Sequence, residues 1–142
     1  MIMNQADIEK LLPHREPLLL IHEVSELISG SSLTAITHID PDWELFKGHF
    51  PGHPILPGIY IIECMAQACS LLLLENLSGE EKLPLLFQVR KMRFLHSVAP
   101  DDVLITSAVL NLSCGNDLYD FDVTATIDGK KVASGVLTII LK

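Results

Sequence analysis

The sequence predicts an α+β fold in which an antiparallel sheet curls around one long, buried helix. Three observations carry that reading. Ile59 to Leu74 is apolar apart from Glu63, Gln67 and Ser70, which suits a helix wrapped by other elements. Two strand-like runs precede this stretch and four follow it. Asp128-Gly129, between the last two runs, is a hairpin signal. The 142 residues suit one domain spanning 1–142.

Asp7 to Leu12 reads as a short helix stopped by Pro13. Leu18 to Ile28 is apolar-rich and reads as a strand. Ser32 to Asp40 alternates through Leu33, Ala35, Thr37 and Ile39, the pattern of a half-buried strand. Asp42 to Lys47 suits one helical turn. Gly48 to Gly58 is different, because its eleven residues hold three Gly, three Pro and two His. That composition makes a rigid, irregular loop. The long helix then starts near Pro57–Gly58 and runs to about Leu77, with Gly79 as its stop. At the α-helical rise it is roughly 30 Å long. The later strands are Leu85–Val98, Val103–Ser113, Tyr119–Ile127 and Val132–Leu141.

Composition narrows the function. The formal net charge is −8, with 10 Lys+Arg against 18 Asp+Glu. That argues against nucleic acid, which needs a basic footprint. The three cysteines, Cys64, Cys69 and Cys114, show no CxxC pairing, so neither a disulfide framework nor a zinc knuckle is readable. MIMNQADIEK lacks a basic n-region and an apolar h-region, so it is not a secretory signal. A cytoplasmic setting is expected. The apolar stretch is too short for a membrane span. AVILMFWYC residues make up 49% of the chain, and so many in a small domain point to a subunit interface or a binding tunnel.

Glu63, Gln67 and Ser70 are spaced i, i+4, i+7 and share one helix face. A carboxylate buried there is costly without partners, and desolvation makes it a proton donor near neutral pH. The alternative places Glu63 at an exposed edge, favouring the positive helix N-terminus. His49 and His53 stand in the Pro/Gly-locked loop that feeds this helix. A lone loop histidine is usually structural, but two in a rigid loop upstream of a carboxylate point to a site. Their i, i+4 spacing would suit zinc only on a helix, which the prolines forbid, so no metal site is expected. His14, His22, His38 and His96 are scattered and carry no assignment. Pro57 has no N–H, so Gly58 offers the first free donor of the helix, with no side chain in the way. A carbonyl oxygen there meets that donor and the helix dipole. Base, acid and carbonyl polariser suffice to abstract a proton next to a carbonyl and expel a β-hydroxyl.

The loop "GHFPGHPILPG" (Gly48–Gly58) with "IECMAQA" (Ile62–Ala68) closely resembles the FabZ-type β-hydroxyacyl-acyl carrier protein dehydratases. "IEKLLPHREPLLLIHEV" (Ile8–Val24), "VRKMRFLHSVAPDDVL" (Val89–Leu104) and "ATIDGKKVASGVL" (Ala125–Leu137) extend the likeness over nearly the whole chain. The resemblance implies a hotdog fold, paired as a dimer with a continuous sheet and often assembled as a trimer of dimers. It leaves open a heterodimer with a related dehydratase. It places the catalytic histidine on His49, the catalytic carboxylate on Glu63 and the carbonyl-holding amide on Gly58. Two sites per dimer are implied, each with the histidine of one subunit and the carboxylate of the other. Gln67, one turn beyond Glu63, would orient the carboxylate.

The implied reaction removes water from a (3R)-hydroxyacyl thioester on acyl carrier protein to give the trans-2-enoyl thioester. It needs no metal or redox cofactor, since the acyl group arrives on phosphopantetheine. The FabA type has Asp where this chain has Glu63, and Glu63 favours plain dehydration without isomerisation. The chain departs from the family at His22-Glu23, usually Asp-Arg, and at Arg90. It also has Leu95-His96 in place of a basic pair. These departures leave room for a specialised dehydratase in polyene or polyketide assembly.

Phe50, Ile55, Leu56, Ile59, Ile62, Leu86 and Phe87 are candidates for an acyl tunnel. Lys82, Arg90, Lys91 and Arg93 stand in a stretch without acids, a candidate docking patch for an acidic carrier protein despite the net charge. A hotdog thioesterase and a non-catalytic dehydratase-like subunit are the alternatives. The first would release free thiol rather than enoyl product. The second would keep its effect without His49 or Glu63.

Overall fold

A computed structural model describes residues 1–77 and 81–142. A capping box opens α1 (Gln5–Leu11), with the Asn4 side chain and the Asp7 backbone N–H bonded at 2.9 Å and the reciprocal bond at 3.1 Å. Just beyond α1, the Arg15 guanidinium donates to the carbonyls of Glu9, Leu12 and His14. It thereby satisfies carbonyls that a helix end leaves bare.

The first strand, β1, covers only Glu23–Ile28, not the expected Leu18–Ile28. Leu19, Leu20 and Ile21 are buried, but as an irregular segment. The Leu20 amide goes to the Gln67 side chain at 3.0 Å rather than to a strand. β2 is Ser32–His38, and a 3₁₀ turn at Glu44–Lys47 takes the place of the expected helical turn. β3 (Pro84–Phe94), β4 (Val103–Gly115), β5 (Leu118–Ile127) and β6 (Lys130–Leu141) follow. At the turn between β5 and β6, Asp128 and Gly129 take φ of 50° and 77°. Two positive φ values in a two-residue connection match a type I′ hairpin.

The sheet order is β1-β2-β4-β5-β6-β3, and every neighbouring pair is antiparallel. The long helix α2 (Gly58–Leu74) packs inside the curl against β2, β4, β5 and β6. All of Cys64 to Leu74 is buried, as are Phe121, Leu137 and Ile139 on the facing strands. This is the expected hotdog arrangement. At 17 residues α2 is about 26 Å long. It stops three residues before Leu77, whose amide closes a turn onto the Leu74 carbonyl. The expected stop, Gly79, lies outside the described residues. Among the described residues no helix is long and apolar enough to cross a membrane.

Two features of the surface bear on the excess apolar content. β3 forms one edge of the sheet, and its Leu85, Leu86, Phe87 and Val89 are exposed. Ile59, in the first turn of α2, is 72% exposed. Apolar side chains of this size along an unpaired strand edge are a ready surface for a second chain.

Candidate active site

The loop from Gly48 to Pro57 is held by its own backbone. Phe50 and His53 exchange hydrogen bonds of 2.9 and 2.8 Å, and Gly52 between them takes φ +77°. The Ile55 amide donates to the His49 carbonyl at 3.0 Å. In return, His49 Nδ1 lies 2.7 Å from the Ile55 carbonyl oxygen. A carbonyl only accepts, so Nδ1 carries the proton and Nε2 keeps a lone pair. The geometry therefore sets His49 up as a base. The Phe50 ring stacks on the imidazole at 3.9 Å between centroids.

His49 lines a cavity of about 560 Å³ together with Ile55, Leu56, Gly58, Ile59, Ile62 and the segment Phe94–Val98. Four of the seven tunnel candidates thus meet there, while Phe50, Leu86 and Phe87 do not line it. Gly58 starts α2 after Pro57, which provides no side-chain cap. A Cβ on Gly58 would fall 2.9 Å from the Phe94 ring, so only glycine admits that ring against the helix start. A larger cavity, about 860 Å³, lies between α1 and the C-terminal end of α2, and neither His49 nor Glu63 lines it.

Glu63 does not line the His49 cavity. Its side chain is partly exposed, and its Oε2 accepts from Gln67 Nε2 at 2.8 Å. Gln67 is fully buried and uses both of its N–H donors: Nε2 also donates to the Leu18 carbonyl at 2.8 Å, while Oε1 accepts from the Leu20 amide. One side chain thus aims the carboxylate and pins the segment before β1. Ser70, the third polar residue on that face, donates to the Ala66 carbonyl instead. Gln67→Leu leaves the buried Leu20 amide unpaired and removes the donors to the Leu18 carbonyl and to Glu63. Urea unfolding is expected to show a loss of ~2–4 kcal/mol.

Sequence reading missed His14. Its Nε2 lies 3.7 Å from Glu63 Oε2, and burial pulls its pKa down against the upward pull of Glu63. Nothing in the spacing of two residues 49 positions apart signals the contact. Next to Glu63, the Cys64 thiol is pushed up to about 12 by burial, which makes it inert as a nucleophile. No group of three or more His, Cys, Asp or Glu among the described residues is arranged to hold a metal ion.

The four basic candidates do not form one free patch. Lys82 pairs with Asp117 at 3.5 Å and Arg90 with Asp120 at 2.6 Å, both acids coming from β5 or the turn before it. Thr138 donates a short bond to the same Asp120. Lys91 and Arg93 have no carboxylate within 4.0 Å among the described residues, and Lys91 sits at φ 53° in a bulge of β3.

The FabA-like domain family matches residues 12–136. A 3-hydroxyacyl-[acyl-carrier-protein] dehydratase FabZ from Oenococcus oeni is 36% identical over 140 residues, covering 99% of this chain and all of that one. The corresponding FabZ of Myxococcus xanthus is 39% identical, over 94% of this chain and 88% of its own. Among solved structures, the dehydratase heterocomplex ApeI:P from Xenorhabdus doucetiae superposes with a TM-score of 0.81 at 21% identity, covering 95% of this chain and 90% of that one. At that identity the superposition speaks for the fold alone.

Proposed function

This chain belongs to the FabA-like family, among the FabZ-type 3-hydroxyacyl-[acyl-carrier-protein] dehydratases, and from that premise we propose its reaction: removal of water from (3R)-3-hydroxyacyl groups carried on an acyl carrier protein. The observation that carries the assignment of roles is the bond from His49 Nδ1 to the Ile55 carbonyl, which leaves Nε2 basic inside the Gly58 cavity. The thioester carbonyl oxygen accepts from the Gly58 amide at the helix start. His49 Nε2 takes the proton from the α-carbon. That electron pair forms the α,β double bond as the β-carbon–oxygen bond breaks. Glu63 gives its proton to the departing hydroxyl, which leaves as water. Acid–base chemistry of this kind asks for no metal or redox group, and phosphopantetheine arrives with the substrate.

The working unit in this reading is a dimer. His49 lines the Gly58 cavity and Glu63 does not, which supports a complete site built from the histidine of one copy and the carboxylate of another. The exposed apolar edge of β3 supports pairing there. A trimer of dimers, or pairing with a related dehydratase, would keep the same unit. Carrier-protein docking falls to Lys91 and Arg93, which flank the stretch leading to Phe94 at the cavity wall.

The test incubates the protein with a (3R)-3-hydroxyacyl thioester and follows enoyl absorbance and free thiol together. Enoyl formation without thiol release is expected. Thiol release without enoyl would make the chain a thioesterase. Neither signal, from carrier-bound and coenzyme A substrates alike, would leave it a non-catalytic subunit.

A further inference from the structure

We propose that His14 is a positioning residue for Glu63, its imidazole Nε2–H directed at the carboxylate oxygen that Gln67 already holds. The inference rests on the dehydratase reading of Glu63 and adds a residue to it. Three observations support it. His14 Nε2 stands 3.7 Å from Oε2, the oxygen that accepts from Gln67 at 2.8 Å. His14 Nδ1 is buried and has no hydrogen-bond partner among the described residues. A proton on Nδ1 would be a buried donor with nothing to bond, whereas on Nε2 it faces a carboxylate. Finally, Arg15 donates to the His14 carbonyl at 2.7 Å and to the carbonyls of Glu9 in α1 and of Leu12 just after it, which fixes the backbone that presents the ring.

The consequence for the reaction is geometric and electrostatic. With Oε2 held from two sides, Oε1 is left to the reactant. When Glu63 gives up its proton, the new carboxylate finds the Gln67 amide and the His14 N–H already in place. A separation of 3.7 Å is longer than a hydrogen bond, and contacts of this kind tighten when the reactant is bound. His14 works as a neutral donor, because burial opposes its protonation. The other titratable groups around the pair are few. Arg15 is turned away to α1 and Glu9, and the Cys64 thiol stays protonated.

Two measurements test the proposal. The first is the ¹⁵N–¹³C correlation spectrum of the histidine rings at neutral pH, with the His14 signal assigned by its loss in His14→Phe. The proposal requires the Nε2–H tautomer; the Nδ1–H tautomer overturns it. This readout needs no turnover, so it is independent of the dehydratase assay. The second is steady-state kinetics. His14→Phe is expected to lower kcat roughly tenfold with KM within about twofold, and His14→Gln, which keeps an N–H donor, to recover most of it. An unchanged kcat in His14→Phe, or a rise in KM alone, overturns the proposal. Absence of enoyl product from the unmodified protein would instead sink the dehydratase reading, whatever the tautomer.

Discussion

Replacing His49 with alanine lowers kcat for a (3R)-3-hydroxyacyl thioester by roughly 10³-fold, while KM moves by no more than about threefold. The expectation follows from the tautomer. The Ile55 carbonyl holds the Nδ1 proton, so Nε2 presents its lone pair to the Gly58 cavity that His49 lines. Alanine removes it without changing Gly58 or the apolar wall of Ile55, Leu56, Ile59 and Ile62. Binding therefore survives and proton abstraction does not. His49→Ala also loses one hydrogen bond to the loop, at a cost of about 1 kcal/mol, too little to unfold the protein. Thermal unfolding run beside the kinetics separates the two effects. A rise in KM with kcat intact would move the base elsewhere.

The second large effect is on assembly. Phe87→Asp places a carboxylate on the exposed apolar edge of β3. Phe87 is 58% exposed in the single chain, so the substitution leaves the core around α2 intact. Burying that charge against a second copy is costly without a partner. Light scattering is expected to show monomers, and circular dichroism an unchanged fold. In the proposed shared site each copy supplies half, so turnover is expected to fall by about 10²-fold or more together with the dimer. A monomer that keeps full activity would place a complete site within one chain.

Much of the candidate site's local geometry was legible because it is local in sequence. The Pro/Gly content of residues 48–58 identified a locked loop, and its backbone bonds are what set the His49 tautomer. The i, i+4 spacing of Glu63 and Gln67 put them on one face, and the helix delivers the 2.8 Å bond between them. Where partners come from far along the chain, local pattern failed. His14 reaches Glu63 from 49 positions away. Asp117 and Asp120 neutralise Lys82 and Arg90 from 35 and 30 positions away, so a stretch free of acids is not a surface free of them. Leu18–Ile21 read as strand because it is apolar, yet its backbone is claimed by a side chain of α2. The end of α2 was placed three residues late, since Leu74 to Leu77 keeps the apolar character of the helix while its backbone turns.

The sharing of one site between two copies is tested most directly by complementation. His49→Ala and Glu63→Gln chains, each inactive alone, are co-expressed with different tags and the mixed dimer is assayed. A shared site predicts recovery, because one of the two sites in the mixed dimer then has both an intact His49 and an intact Glu63. Random pairing gives about a quarter of the unmodified activity, and the purified mixed dimer about half. Recovery of none, with mixed dimers present, would put His49 and Glu63 of the same chain in one site and contradict the assignment.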